Sequence, residues 1–359
     1  MKKLISYLTP TLLLLASSSS AADYPEFKWG GYIMLDHDQF SDLFLEDDES
    51  DNYGSDVRRA RLSTKIKFSD NWKSKFQVDL SDGDAVEIKD AYLQYQGWDW
   101  ATITVGKQKE PFGLEKLTGS RNTFMIERSM VTEALAPGRS VGANLSGKEG
   151  NVNWDIGYFQ DEDSADNYGV TGRLTWALVD PDDNFIHLGA ALSERRLGGD
   201  EFRINEPLEV YSSDSLLEGT RLNADDESLA GIELMWQYQG FVSMAEWIQA
   251  DIDDPTKGTH HYEGGYYQMS YPLSGKNRHY KNGKLSSIKA NNDWELTWRL
   301  SQFNLIEENS KAQTFSVGVN YLVNENLMFK VNYIRAKLED DGETYNADNA
   351  FSLRAQYSF

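Results

Sequence analysis

The 359-residue chain contains no cysteine, which excludes a disulfide scaffold and any thiolate metal site. It also lacks long Lys/Arg blocks. With Lys+Arg 35 against Asp+Glu 57 and a formal net charge of −22, it repels phosphodiester backbones unless a basic face is segregated, so no nucleic-acid partner is expected. Beyond residue 22 no apolar run is long enough to cross a bilayer as a helix. The histidines, His37, His187, His260, His261 and His279, show no metal-binding spacing beyond one adjacent pair. Neighbours on a strand point to opposite faces and cannot both hold one ion. They read as loop and rim residues, and no metal or cofactor is expected.

What is present begins with Lys2 and Lys3, then the apolar stretch Leu4 to Ala16, then Ser17 to Ala22 with only Ser and Ala. This charged, apolar and small-residue order is that of a secretory signal cut after Ala21 or Ala22. The apolar part is shorter than the roughly 18 residues that a spanning helix needs. Residues 1–22 are therefore expected to be a cleaved signal peptide, and residues 23–359 one exported domain.

The rest reads as repeated segments of about ten residues with every second position apolar, divided by Gly, Asn and Asp turns, the pattern of a barrel with lipid outside and water inside. Phe351, Leu353, Ala355, Tyr357 and Phe359 share one face while Ser352, Arg354, Gln356 and Ser358 share the other. Trp294, Leu296, Trp298 and Leu300 likewise oppose Glu295, Thr297, Arg299 and Ser301, a poor buried strand but a good lumen wall. A soluble sandwich strand alternates too, but a carboxyl-terminal Phe closing such a strand resembles the assembly signal of bacterial outer-membrane barrels. Alternation places about sixteen strands between 26–38 and 349–359, an even number as closure of a single chain requires. The expected fold is all-β, a transmembrane antiparallel barrel in the bacterial outer membrane. Short turns at 69–71, 148–150 and 323–326 belong to one rim, and long loops at 39–56, 107–138 and 195–227 to the other. Segment 273–292 is long yet falls on the short-turn side, so either that turn is extended or a strand nearby is miscounted.

Charge is unevenly placed. The loops 39–56, 161–167, 251–260 and 339–348 hold 7, 4, 3 and 5 carboxylates against the single cation Lys257, an acidic crown that suits solvent and lipopolysaccharide bridged by divalent ions. The wall segment Val57 to Phe68 is the opposite case. Its apolar face is Ala60, Leu62, Ile66 and Phe68, so Arg59, Arg61, Lys65 and Lys67 are expected to project together into the lumen. A second basic run, Lys276, Arg278, Lys281, Lys284 and Lys289, has no acid between 273 and 292. It either draws anions to a pore mouth or neutralises a rim.

Three stretches then become specific: Arg58-Arg59-Ala60-Arg61-Leu62, Ile88-Lys89-Asp90-Ala91-Tyr92-Leu93, and Val105-Gly106-Lys107-Gln108-Lys109-Glu110-Pro111-Phe112-Gly113-Leu114-Glu115. With Ser120-Arg121, Phe124 to Arg128 and Ala136-Pro137-Gly138-Arg139, they closely resemble, in order over about 58–142, the phosphate-selective porin O and P family. The resemblance implies a homotrimeric sixteen-stranded outer-membrane pore whose third outer loop, here 107–138, folds inward as the constriction. It implies anion coordination by adjacent arginines, an Asp on the fourth strand, and Lys, Ser and Arg from the loop. Carried onto this sequence, and joined to the cationic wall, this gives Arg58, Arg59, Arg61, Asp90, Lys116, Ser120, Arg121 and Arg128. Asp90 would hold an Arg in place or accept a hydrogen bond from a protonated phosphate oxygen.

Two features pull away from strong phosphate selectivity. The loop holds Lys107, Lys109, Lys116, Arg121 and Arg128 but also Glu110, Glu115, Glu127 and Glu133, acids that pairing with cations would explain. Further arginines on an outer path would be Arg195, Arg196, Arg203 and Arg221, which stand among nine carboxylates in 195–227. The sequence thus supports passive diffusion of small hydrophilic solutes with a preference for anions such as phosphate or polyphosphate. A non-selective general porin is the alternative, and a plugged structural or adhesive barrel a more distant one. Gly138-Arg139-Ser140-Val141-Gly142 matches a hydrolase nucleophile pattern, but that pattern needs a strand, a strained turn and a helix. Here it leads directly into a strand, so no enzyme is expected.

Overall fold

The computed structural model describes residues 24–45, 51–83, 85–160, 166–286, 288–345 and 347–359. The signal-like segment and much of the acid in loops 39–56 and 161–167 lie outside the described residues.

Sixteen strands make the wall. They are β1 (Glu26–Phe40), β2 (Tyr53–Lys67), β3 (Trp72–Asp79), β4 (Glu87–Tyr95), β5 (Thr102–Lys109), β6 (Arg139–Glu149), β7 (Val152–Gln160) and β8 (Tyr168–Val179). The series continues with β9 (Phe185–Phe202), β10 (Leu222–Tyr238), β11 (Phe241–Asp254), β12 (Gly258–Pro272), β13 (Asp293–Leu305), β14 (Ser310–Leu322), β15 (Leu327–Asp340) and β16 (Asp348–Ser358). Each pairs antiparallel with its neighbours in sequence. β16 then pairs with β1 from Tyr32↔Ser358 to Phe40↔Ala350, closing the barrel. Closure leaves no sheet edge unpaired, a condition for placing strands in lipid. At the seam Phe359 N–H donates to Gly31 O (3.1 Å) and Gly31 N–H to Phe359 O (3.2 Å). A Cβ at Gly31 would stand 2.7 Å from the Phe359 ring, so glycine there admits the terminal side chain.

Alternation dictates which face meets lipid. Leu296, Leu300, Phe315, Val317, Phe329, Val331, Phe351 and Leu353 are exposed, while the interleaved Thr297, Arg299, Ser316, Lys330, Asn332, Ser352 and Arg354 are buried. Aromatic rings gather at the short-turn rim, where Trp98, Trp100 and Trp154 stack in succession with centroids 5.9 and 6.3 Å apart, as expected of a ring belt at a membrane interface.

Loop boundaries move: β5 runs to Lys109, so the expected loop 107–138 shortens to 110–138, and β1 and β2 leave 41–52 of the expected loop 39–56. β9 and β10 run to Phe202 and from Leu222, which shortens the expected loop 195–227 to 203–221, and the expected outer loop 251–260 contracts to the tight turn between Asp254 and Gly258. The anomaly at 273–292 resolves as an extended turn, with the strand count unchanged. It carries its own hairpin, Tyr280–Lys281 against Lys284–Leu285, turned by Asn282 and Gly283, both at positive φ (48° and 70°). Asn-Gly is the pair that tolerates such dihedrals in a two-residue turn.

Candidate functional site

The site grows from an irregularity in the wall. The register of β1 and β2 shifts between Met34 and Asp36, a bulge that sets two β2 residues, Val57 and Arg58, against one on β1. Strict alternation would send the adjacent Arg58 and Arg59 to opposite faces, yet both reach one carboxylate on the 110–138 segment. Arg58 binds Glu127 through two bonds of 3.0 Å, and Arg59 Nη1 lies 3.8 Å from Glu127 Oε1. Arg354 of β16 adds a bond of 2.6 Å to Glu127 and grips Asp36 with its other donors. Burial alone would raise the Glu127 carboxyl, but Arg59, Arg58 and Arg354 outweigh it and hold it well below the usual carboxylate range. Arg58 also stacks over Tyr211 at 3.8 Å, and the Nε of Arg59 is buried without a partner.

Segment 110–138 contains two short helices, α1 (Leu114–Leu117) and α2 (Met130–Leu135). A segment without a ladder must find partners for its backbone elsewhere, and polar wall side chains supply them. Glu246 of β11 accepts from Leu114 N (2.7 Å) and Glu115 N (3.2 Å). Asn332 of β15 accepts from Ile126 N (2.7 Å), while Asn320 of β14 and Lys330 of β15 donate to Phe124 O and Thr123 O. Arg299 of β13 bridges Glu115, Glu209, Gln268 and Glu127 O. All four acids of the segment are paired: Glu110 with Arg195, Glu115 with Arg299, Glu127 with Arg58 and Arg354, and Glu133 with Lys116 and Arg128. Arg128 further donates to Glu115 O and Thr118 O and, at 3.4 Å, to Ser120 Oγ.

Two other segments pack against this one. In 203–221, Glu209 accepts from Met130 N and Arg299. In 273–292, Arg278 stacks on the Phe124 ring at 4.9 Å and pairs with Glu295. There Tyr280 hydrogen-bonds His187 at 2.7 Å, and His187 meets Glu233, which pairs with Arg173. The three segments place Phe112, Phe124, Met130, Leu208, Val210, Tyr280 and Leu285 in one apolar cluster with Met235, Ile248 and Phe303 of the wall. These segments thereby bury most of the inner polar side chains of β8–β16.

The inner faces of β1–β7 are different. They line a cavity of about 740 Å³ bounded by Pro111, Leu117, Ser120 and Arg121 of the 110–138 segment and by Asn282 and Lys284 of the hairpin. Nine Lys and Arg side chains line it against two carboxylates, Asp90 and Asp155. Asp90 is itself occupied, with Arg139 at 2.9 Å and Lys75 at 2.5 Å.

The sequence-derived residues thus separate into groups. Arg58, Arg59, Lys116 and Arg128 are knit into ion pairs that fix segment 110–138, whereas Arg61, Asp90 and Arg121 line the cavity, and Ser120 touches both. Arg61 is braced by Asp79 (2.6 Å) and Tyr32 (2.9 Å). Lys65 lines the cavity, but Lys67 does not continue the ladder and pairs with Asp70 at the turn. The basic run of 273–292 divides: Arg278 is buried against Glu295 and Lys284 faces the cavity. Sequence reasoning missed Lys28, Lys75, Lys109, Arg139 and Lys148 as cavity residues, and Arg299 and Arg354 as anchors. A lone cation on the polar side of an amphipathic strand was the available signal for both anchors.

Three of the four outer arginines expected to line a path are taken up by acids, Arg195 by Glu110 and Glu227, Arg203 by Glu218 and Arg221 by Glu201. His187 is not a rim residue but fully buried in β9. One ring nitrogen of His260 gathers with carboxylate oxygens of Glu307 and Glu308, all within 4.8 Å of one another, a grouping invisible to spacing because the acids come from the neighbouring turn. Ser140 sits on β6 and donates to Glu110 (2.7 Å), with no strand-turn-helix around it.

Residues 27–359 match the family model of phosphate-selective porins O and P. Porin O of Pseudomonas aeruginosa is 25% identical over an alignment covering 93% of this chain and 88% of the relative. Among solved structures, an anion-selective porin from Comamonas acidovorans superposes with a TM-score of 0.66 at 12% identity, covering 94% of this chain and 100% of that one. The trimer form of OmpT, an outer-membrane protein of Vibrio cholerae, gives 0.61 at 12% identity, covering 94% and 100%. These two likenesses are of fold.

Proposed function

The chain belongs to the phosphate-selective porin O and P family, and from that premise we propose that it is an outer-membrane diffusion pore, trimeric in the membrane, that prefers small hydrophilic anions such as phosphate or polyphosphate. Segment 110–138 narrows the bore, and solutes pass along the β1–β7 side. The observation that carries the reading is the cavity's nine cations against two carboxylates in a chain of formal net charge −22. A unit charge about 5 Å away attracts an anion by about 0.8 kcal/mol in bulk water and about 3 kcal/mol at an effective dielectric of 20. That scale favours entry without trapping, as passage requires.

Within this reading Arg61, Arg121 and the cavity lysines attract the ion. Asp90 holds Arg139 and Lys75 in place, and Arg58, Arg59, Lys116 and Arg128 fix the constriction with a surplus of positive charge. The acidic outer rim faces solvent and lipopolysaccharide. Transport is passive and needs no cofactor, and Ser140, committed to Glu110, serves the wall rather than hydrolysis.

Reversal potential across a KCl gradient in planar bilayers tests the proposal, repeated with added phosphate. Anion preference with a phosphate-dependent fall in chloride conductance is expected. Equal permeability would favour a general porin, and absence of channels a structural barrel.

A further inference from the structure

The outward face of the wall carries a furrow of about 950 Å³ on the flank from β9 to β15. Strand pairing fixes its course. From Leu234 of β10 the pairs run through Ala245, Tyr267, Leu300 and Phe315 to Arg335 of β15, and all of these line the furrow. Leu234 lies near the short-turn end of its strand and Arg335 nearer the outer end of its own, so the furrow climbs the wall toward the outer rim, as strand tilt in a barrel requires. Small residues give it depth. A Cβ at Gly265 would stand 2.7 Å from Cε3 of Trp247, so glycine there lets the indole ring lie across the wall instead of standing out from it.

The upper end differs from the rest. Leu234, Tyr267, Leu300 and Phe315 are exposed apolar side chains, whereas toward the outer rim the lining turns to Gln302, Gln313, Arg335 and Lys337. On β13–β16 the outward charges are the cations Lys311, Arg335 and Lys337 against one acid, Glu339. This reverses the balance of a chain of formal net charge −22. Glu339 is taken by Lys337, and Arg335 makes no ion pair among the described residues. A cation on the lipid face is costly at the middle of the membrane and nearly free at the interface, where an anionic headgroup can accept its hydrogen bonds. Arg335 sits where the apolar band ends. The furrow therefore offers a place for charge and, below it, a trough for hydrocarbon.

We propose that this furrow is a lipopolysaccharide site, with one phosphate of lipid A held by Arg335 and Lys337 and one acyl chain laid down the trough over Phe315, Leu300 and Trp247. Lipid A is the outer-leaflet amphiphile whose head is a phosphorylated sugar, and the cationic end of the furrow faces that leaflet. The assignment rests on the outer-membrane placement of the barrel and not on its anion preference. Reversal potential tests that preference separately, so failure of either reading leaves the other standing.

The test uses the full protein in detergent, with bisphosphorylated lipid A, its dephosphorylated form and phosphatidylglycerol as probes, and reads the bound fraction by native mass spectrometry. Wild-type protein is expected to retain bisphosphorylated lipid A most strongly. Arg335→Gln is expected to weaken that binding about 5-fold, the factor given by roughly 1 kcal/mol per surface cation. Ala245→Trp, which fills the trough without changing charge, is expected to weaken it too, whereas Lys289→Gln, the same charge change on the short-turn side, should leave it unchanged. Equal retention of phosphorylated and dephosphorylated lipid A by wild-type protein, which requires no variant to fold, overturns the proposal. So do equal effects of Arg335→Gln and Lys289→Gln, or undiminished binding in Ala245→Trp. Preference for phosphatidylglycerol would give the furrow to phospholipid, and binding that rises when a trimer is dissociated would give it to a second copy of the chain; either result overturns the assignment.

Discussion

The two sides of this barrel have strands of the same amphipathic period and opposite interiors. Along β1–β7 the polar side chains face an open, cationic cavity. Along β8–β16 the same alternation meets packed loops, and Arg299 and Arg354 are fully buried. Alternation therefore reports which face is polar, but not whether that face is wet. On the buried side the arginines are matched by acids, because a buried ion without its partner costs several kcal/mol, while Glu246 and Lys330 are satisfied by hydrogen bonds to backbone and hydroxyl groups. Arg299 has Glu115 and Glu209, Arg354 has Asp36 and Glu127, and Arg173 has Glu233. On the wet side water does much of that work, and cations can outnumber acids.

The largest effect should come from breaking a buried pair. Arg299→Leu strands Glu115 and Glu209 and is expected to cost roughly 3–5 kcal/mol, read as a lower thermal midpoint of the folded barrel with larger, noisier channel openings as segment 110–138 loosens. Lys65→Leu on the wet side should change stability by only about 0.5 kcal/mol. Similar losses in the two variants would erase the contrast.

Next in size is Gly283→Val in the 273–292 hairpin. Gly283 has φ +70°, and a Cβ there would stand 2.8 Å from Arg173 Nη1, so a cost above about 1 kcal/mol and a rise in conductance as the hairpin shifts are expected. Wild-type conductance and stability would show that the hairpin does not help fill the barrel.

Selectivity should respond on the other side. Lys65→Glu is expected to move the anion-to-cation permeability ratio at least about 4-fold toward cations, the factor given by ~0.8 kcal/mol for one charge at about 5 Å in water. Arg59→Glu and Arg128→Glu should act in the same direction, whereas Lys330→Met, on the buried side, should leave reversal potential unchanged. A Lys330→Met shift as large as that of Lys65→Glu would place the ion path elsewhere.

The smallest effect concerns pH. Burial, and then the neighbouring Glu133, push the Glu206 carboxyl up to about 8. It is mostly protonated and neutral below that pH and ionises above it, adding a negative charge beside Lys116. Anion preference should fall modestly between pH 7 and 9, and Glu206→Gln should abolish the fall. A fall that persists in this variant would point to lysine deprotonation instead.

These contrasts mark how far the sequence could be read. The strand count, the rims and the lipid-facing residues followed from period-two alternation, and motifs singled out the arginine pair, Asp90 and loop 107–138. The convergence of Arg58 and Arg59 did not, because it depends on a bulge, and a bulge depends on pairing between two strands. Nor did the anchoring by Arg299 and Arg354, whose partners lie 184 and 227 residues away.

By itself the sequence determined a closed sheet, greasy outside and polar within, since alternation on a pleated backbone leaves no other arrangement that satisfies both lipid and hydrogen bonds. Only the tertiary structure decided where that polar interior stays open. Whether a wall charge meets water or a paired acid depends on which loop packs over it, and that contact joins residues whose separation along the chain carries no local signal.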